Sequence, residues 1–237
     1  MRAMAEQLTL TLAGAPAATF ETYVAGRNAE AIDTLARVAR HDLSETGLVL
    51  WGTGGVGKTH LLKAAVALAR DHGRGTLFVA EPSQFEADAL RDAGGLVAID
   101  DVDRADSAAQ GRLFTLYNVL AANGGQLVAA GSVPPAGMAL RDDLRTRLGW
   151  GLVIEIVPLT DAEKPDALAA FARARGFRLN ADAIAYLLAH GRRDMPSLVA
   201  ALAALDQHSL ALQRPITVPL IRDWLQREAG FATRPPA

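Results

Sequence analysis

Five short apolar runs, at residues 48–51, 76–80, 96–99, 126–130 and 152–156, recur along the chain with room for a helix between most of them. Helical periodicity fills most of those gaps, most clearly over 60–72 and 108–122. Strands alternating with helices predict βαβ units and a parallel sheet covered on both faces. Beyond Pro158 the pattern changes. Residues 161–175, 181–190, 196–213 and 218–229 each read as an amphipathic helix, with Gly176, Gly191 and Pro215 as breaks. The expected fold is therefore α/β, a five-stranded parallel sheet followed by a small helical lid. Its expected divisions are a flexible arm at 1–18, a sheet domain at 19–158, a helical domain at 159–232 and a frayed tail at 233–237.

The connection after the first run carries the most specific chemistry. Gly52-Thr53-Gly54-Gly55-Val56-Gly57-Lys58-Thr59 fits the Walker A pattern completely, with a strand before it and a helix from His60 after it. Glycines let successive backbone N–H groups turn inward around phosphates, and the helix N-terminus adds its dipole. Lys58 is then placed for the β- and γ-phosphates, and Thr59 for Mg²⁺. The third run ends in Asp100 and Asp101, a Walker B candidate. Asp100 would hold Mg²⁺ through water, while Asp101 could orient or deprotonate an attacking water.

Composition narrows the alternatives. Half of the 237 residues are hydrophobic and aromatics make up only 5%, so aliphatic side chains and alanine must fill the interior. A formal net charge of -2 argues against a protein that wraps nucleic acid non-specifically. Cysteine is absent, which removes disulfides and thiolate metal sites. No secretion signal and no apolar stretch of about 18 residues is visible, so a cytoplasmic location is expected.

Further phrases resemble the AAA+ module of the bacterial initiator DnaA. Phe20-Glu-Thr-Tyr-Val-Ala-Gly26-Arg-Asn28 is similar to the stretch that opens that module and helps enclose the adenine. Leu144-Arg-Thr-Arg147-Leu-Gly-Trp150 resembles its arginine-finger segment, with Arg145 as a possible understudy. Residues 126–130, running into Ser132, sit where the family carries sensor 1. Within the DnaA-related family the likeness is greatest to regulators of the Hda type. Leu159-Thr-Asp-Ala-Glu-Lys164 and Arg175-Gly-Phe177 look like the Hda lid, and no added DNA-binding domain or long N-terminal domain is evident. Gln7, Leu8, Leu10 and Leu12 resemble the short motif that docks on the replicase sliding clamp, although Thr11 stands where a proline is usual.

The resemblance implies an adaptor that binds ADP or ATP, docks on the clamp and contacts ATP-bound DnaA. There it inserts Arg147 in trans, and hydrolysis switches the initiator off. It also implies that Gly26, Asn28, His60 and Arg193 belong to the nucleotide site. Two departures bear on the chain's own hydrolysis. Sensor 1 offers Ser132 instead of Asp or Asn, and Pro196 occupies the slot of the sensor 2 arginine, with Arg192 and Arg193 as nearby substitutes. Weak or absent self-hydrolysis is the expectation. The alternative is an autonomous ATPase of the helicase-loader type, which would turn over ATP without clamp or initiator. A pure DNA-binding factor is disfavoured because Arg222 and Arg227 on the last helix are balanced by Asp223 and Glu228.

Overall fold

A computed structural model describes residues 18–84, 95–192 and 194–232. The clamp-type motif at Gln7, Leu8, Leu10 and Leu12, and the residue Arg193, lie outside the described residues. Strands β1 (Gly47–Trp51), β2 (Thr76–Val79), β3 (Leu96–Ile99), β4 (Gln126–Gly131) and β5 (Leu152–Glu155) form one sheet in the order β2-β3-β4-β1-β5. Every neighbouring pair is parallel.

Alternation along the strands sorts the core into two layers. Leu48, Leu50, Leu96, Ala98 and Val128 pack with α1 (Ala29–Arg40) and α2 (Lys58–Asp71). Val49, Val97, Ile99, Leu127 and Ala129 belong to a second cluster with α3 (Ser107–Asn123) and α4 (Asp142–Gly149). Successive residues of a strand point to opposite faces, so a run apolar at every position is what a doubly covered strand requires.

Two helices, α1 and α4, add to the pattern read from sequence. The buried stripe of α1 is Ala31, Leu35, Ala36, Val38 and Ala39, and alanine marks a face only weakly. In α4 only Leu144 and Leu148 are buried, one turn apart on a helix of eight residues. After β5, α5 (Lys164–Ala174), α6 (Ala181–His190), α7 (Met195–Leu212) and α8 (Val218–Ala232) enclose a separate cluster around Leu168, Leu187, Leu202 and Leu205. Arg175, just past α5, is bound to Asp206 of α7 at 3.0 Å, with side chains only 7% and 10% exposed. No helix among the described residues is long and apolar enough to cross a membrane.

The register brings the functional loops to one edge. Trp51 pairs with Gly131, and Ile99 with Ala129, so the segments after β1, β3 and β4 leave the sheet side by side at its C-terminal end. That edge is where parallel α/β sheets bind ligands. Asn28 anchors it from behind: its amide donates to Val157 O at 3.0 Å and its carbonyl accepts from Val157 N at 2.9 Å. Asn28→Ala leaves both backbone groups unmatched next to a buried site, and should cost about 2–3 kcal/mol of unfolding free energy in a urea titration. A loss below about 0.5 kcal/mol would mean that water replaces the amide.

Candidate nucleotide site

The loop between β1 and α2 depends on glycine at defined points. Gly55 and Gly57 have φ of 82° and 95°, a left-handed conformation that side chains rarely adopt. A Cβ at Gly55 would meet Pro196 Cγ at 2.6 Å, and one at Gly57 would meet Tyr23 Cε2 at 2.5 Å. The loop is thus gripped from both sides, by the first turn of α7 and by the segment before α1. Tyr23 strengthens the second grip by donating its hydroxyl to Val56 O at 2.9 Å. Burial pushes the Tyr23 phenol up to about 12, against a partial counter-effect from the Asn28 hydrogen bond, so it remains a neutral donor at physiological pH.

Lys58 opens α2 and folds its ammonium over the loop, donating to Gly52 O at 2.6 Å and Thr53 O at 3.1 Å. Thr59 Oγ1 donates to Asp100 Oδ2 at 2.5 Å. Asp100 is 7% exposed, and its other oxygen accepts from the Asp101 amide at 3.0 Å. A hydroxyl and a carboxylate oxygen held together beside a phosphate loop fit Mg²⁺, a hard cation that completes its shell with phosphate and water oxygens. Among the described residues no group of three or more His or acidic side chains could hold a metal alone, so Thr59 and Asp100 would share the ion with the ligand. His60 is tied to the segment before α1. Its Nε2 lies 2.8 Å from Thr19 O, and a carbonyl can only accept, so that nitrogen carries a proton.

These groups face a cavity of about 770 Å³ between the sheet edge and the helices beyond it. Gly54, Gly55, Val56, Gly57, Lys58, Thr59, His60, Asp100 and Asp101 all line it. Gly26, Asn28, Gly52 and Thr53 stand behind the lining. The Asn28 amide is engaged with Val157, while Gly26 lies against Leu159 and Glu163. Val24, Pro158, Leu159, Ala167 and Phe171 add apolar surface to the lining, with Lys164 among them. Sequence reading placed Phe171 on an amphipathic helix but gave no reason to aim it at the site. Arg104 was also not foreseen. It lines the cavity and pairs with Asp101 at 3.0 Å, in a turn where Asp101 has φ of 45°.

Ser132 and Pro196, expected from the sequence at the sensor positions, are both engaged with neighbours. Ser132 donates its amide to Asp103 Oδ2 at 2.9 Å, and its hydroxyl to the same oxygen. Burial pushes the Asp103 carboxyl up, but these hydrogen bonds, a backbone amide and the Arg104 charge together hold it below the usual carboxylate range. Pro196 covers Gly55 and brings no charge to the loop. Arg192 is turned outward, 83% exposed and 3.4 Å from Asp194, and does not line the cavity.

Arg147 lies outside this cavity. Arg141, just before α4, pairs with Asp143, and Arg145 on α4 pairs with Asp142, each at 2.6 Å. Arg147 forms no ion pair among the described residues. Its guanidinium carbon sits 4.5 Å from the Trp150 ring centroid and 6.0 Å from that of Phe114.

Comparison with known proteins agrees with this arrangement at both ends of the chain. Residues 15–81 match the model of the bacterial DnaA ATPase domain, and residues 161–225 match that of the Hda lid domain. The chain is a DnaA-related AAA+ protein. Among solved structures it is similar to domain III of the Thermotoga maritima replication initiation protein DnaA, at 20% identity and a TM-score of 0.79, covering 90% of this chain and 97% of that one. It is also similar to AMPPCP-bound DnaA from Aquifex aeolicus, at 21% identity and a TM-score of 0.67, over 81% of this chain and 65% of that one. The Thermotoga maritima RuvB Holliday junction branch migration motor is similar at 14% identity and a TM-score of 0.62, over 83% and 67%. Identities this low establish the AAA+ fold, with its parallel sheet and helical lid, and nothing about ligands. The DnaA ATPase-domain match spans α1, β1, the phosphate loop, α2 and β2, and the Hda lid match spans the helices from α5 into α8.

Proposed function

We propose that this DnaA-related AAA+ protein regulates the start of chromosome replication by stimulating hydrolysis of ATP bound to the initiator DnaA. In this reading it binds ADP or ATP itself. The phosphates lie on Gly54 to Gly57 under Lys58, Mg²⁺ rests at Thr59 and Asp100, and the base lies against the apolar surface of Leu159 and Phe171. The ion neutralises phosphate charge. Lys58 and the loop amides orient the chain of phosphates, and the apolar surface excludes water from the base.

The observation that carries the reading is Arg147. It is the α4 arginine with no carboxylate partner among the described residues, it is absent from the lining of the chain's own cavity, and its half-buried guanidinium lies against the Trp150 ring. A planar, permanently charged guanidinium suits the charge spread over the oxygens of a phosphoryl group in transfer. Weak self-hydrolysis fits the same picture. Asp101 is paired with Arg104, Ser132 with Asp103, and Pro196 supplies no cation. The arm carrying Gln7, Leu8, Leu10 and Leu12 would tether the protein to the DNA-loaded sliding clamp, as an extended peptide inserting apolar anchors into a preformed pocket.

The test is reconstitution. DnaA preloaded with labelled ATP should convert it to ADP when this protein, its nucleotide and DNA-loaded clamp are all present, and deletion of residues 1–12 should abolish both clamp capture and conversion. Rapid ATP turnover by the protein alone, with no effect on DnaA, would sink the adaptor reading in favour of the helicase-loader type.

A further inference from the structure

An arginine acting on a neighbour's nucleotide must project from its own surface without a carboxylate to neutralise it, yet without sampling many rotamers. Long flexible side chains lose substantial entropy when ordered, so a finger that is free in solution must be immobilised at the moment of reaction. The neighbouring arginines avoid that cost by pairing with Asp142 and Asp143, which uses up the charge. Arg147 is held differently. Trp150 follows it by three residues at the end of α4, so the two side chains share one helix face. The indole centroid lies 4.5 Å from the guanidinium carbon, and that of Phe114 of α3 lies at 6.0 Å.

The attraction between a cation and a ring face uses none of the guanidinium N–H donors, which lie in the guanidinium's own plane. Trp150 itself is 67% exposed, although it is one of the largest apolar side chains in the chain. Its backbone is fixed, since its amide donates to Thr146 O at 3.1 Å and Arg147 O at 3.3 Å. The charge of Arg147 also reaches Tyr117 of α3: burial pushes that phenol up, and the guanidinium draws it partly back.

We infer that Trp150 is a positioning residue, whose ring holds the Arg147 guanidinium in the pose in which it meets the partner's phosphates. This rests on the trans-acting role proposed for Arg147. Trp150 touches neither phosphate nor reacting water, and acts through the arginine.

Two measurements on the full-length protein separate the inference from the reading beneath it. In the protein alone, the Arg147 side-chain protons should show the upfield shift of a stacked ring in NMR spectra, and Trp150→Ala should remove it. In single-turnover hydrolysis of partner-bound ATP at saturating protein, W150A should lower the rate constant by about tenfold, and W150F should recover to within about threefold of wild type. The melting temperature and the protein's own nucleotide affinity should stay put, because the indole is exposed and remote from the cavity. The inference is overturned if the ring shift is absent. It is also overturned if W150A alters only the half-saturating concentration, or if W150F is no better than W150A. If Arg147→Ala leaves the rate unchanged while the ring shift is present, the trans-acting role itself fails, and the stacking has no part in catalysis.

Discussion

Lys58→Ala should weaken adenine nucleotide binding by about 100-fold, equivalent to about 3 kcal/mol lost with the charge-assisted contacts of one ammonium. The ammonium is poised for this role because its acceptors in the loop, Gly52 O and Thr53 O, are neutral carbonyls. Phosphate oxygens carry full charge and are the stronger acceptors. The fold should survive, since Lys58 is only half-buried and opens a helix whose packing rests on Leu61, Leu62 and Ala65. Calorimetry would read the affinity, and the rise in melting temperature with added nucleotide should shrink in parallel. Retention of affinity within about threefold would remove the phosphate loop from the account.

Arg147→Ala carries the larger functional effect. Arginine fingers supply on the order of a thousandfold or more to phosphoryl transfer, and that is the expected loss in stimulated hydrolysis of partner-bound ATP. The protein's own nucleotide binding should be unaffected, because Arg147 is not part of the cavity lining. Arg147→Lys should recover only part of the loss, since an ammonium is a point charge without the planar fork. Arg145→Ala is the contrasting control. Its ion pair with Asp142 lies at the surface, where such pairs contribute about 0–1 kcal/mol, so its removal should leave stimulation near wild type.

The phosphate loop and its setting were legible because several independent signals coincide. Glycines, lysine and threonine stand at fixed spacing, an apolar strand precedes them and a helix follows. Asp100 was legible as the end of a strand apolar at every position, and Ser132 as the residue just beyond β4. Helices α1 and α4 were not, because an alanine stripe and a pair of leucines barely distinguish one face from another. The partnerships that shape the site were not legible either. Asn28 meets Val157 across 129 positions of chain, and Pro196 reaches Gly55 from the far end of the fold. The resemblance carried by Leu144 to Trp150 put Arg147 ahead of Arg145, but did not reveal what holds either side chain. Only the fold reveals that one faces an aspartate and the other an indole.

That contrast makes the central claim directly measurable. DnaA preloaded with ATP would be mixed, in the presence of DNA-loaded clamp, with saturating wild-type, R147A or R145A protein, and hydrolysis followed through a single turnover. The account predicts rapid conversion with wild type and R145A, and conversion no faster with R147A than with no protein added. Equal rates for R147A and wild type would contradict it.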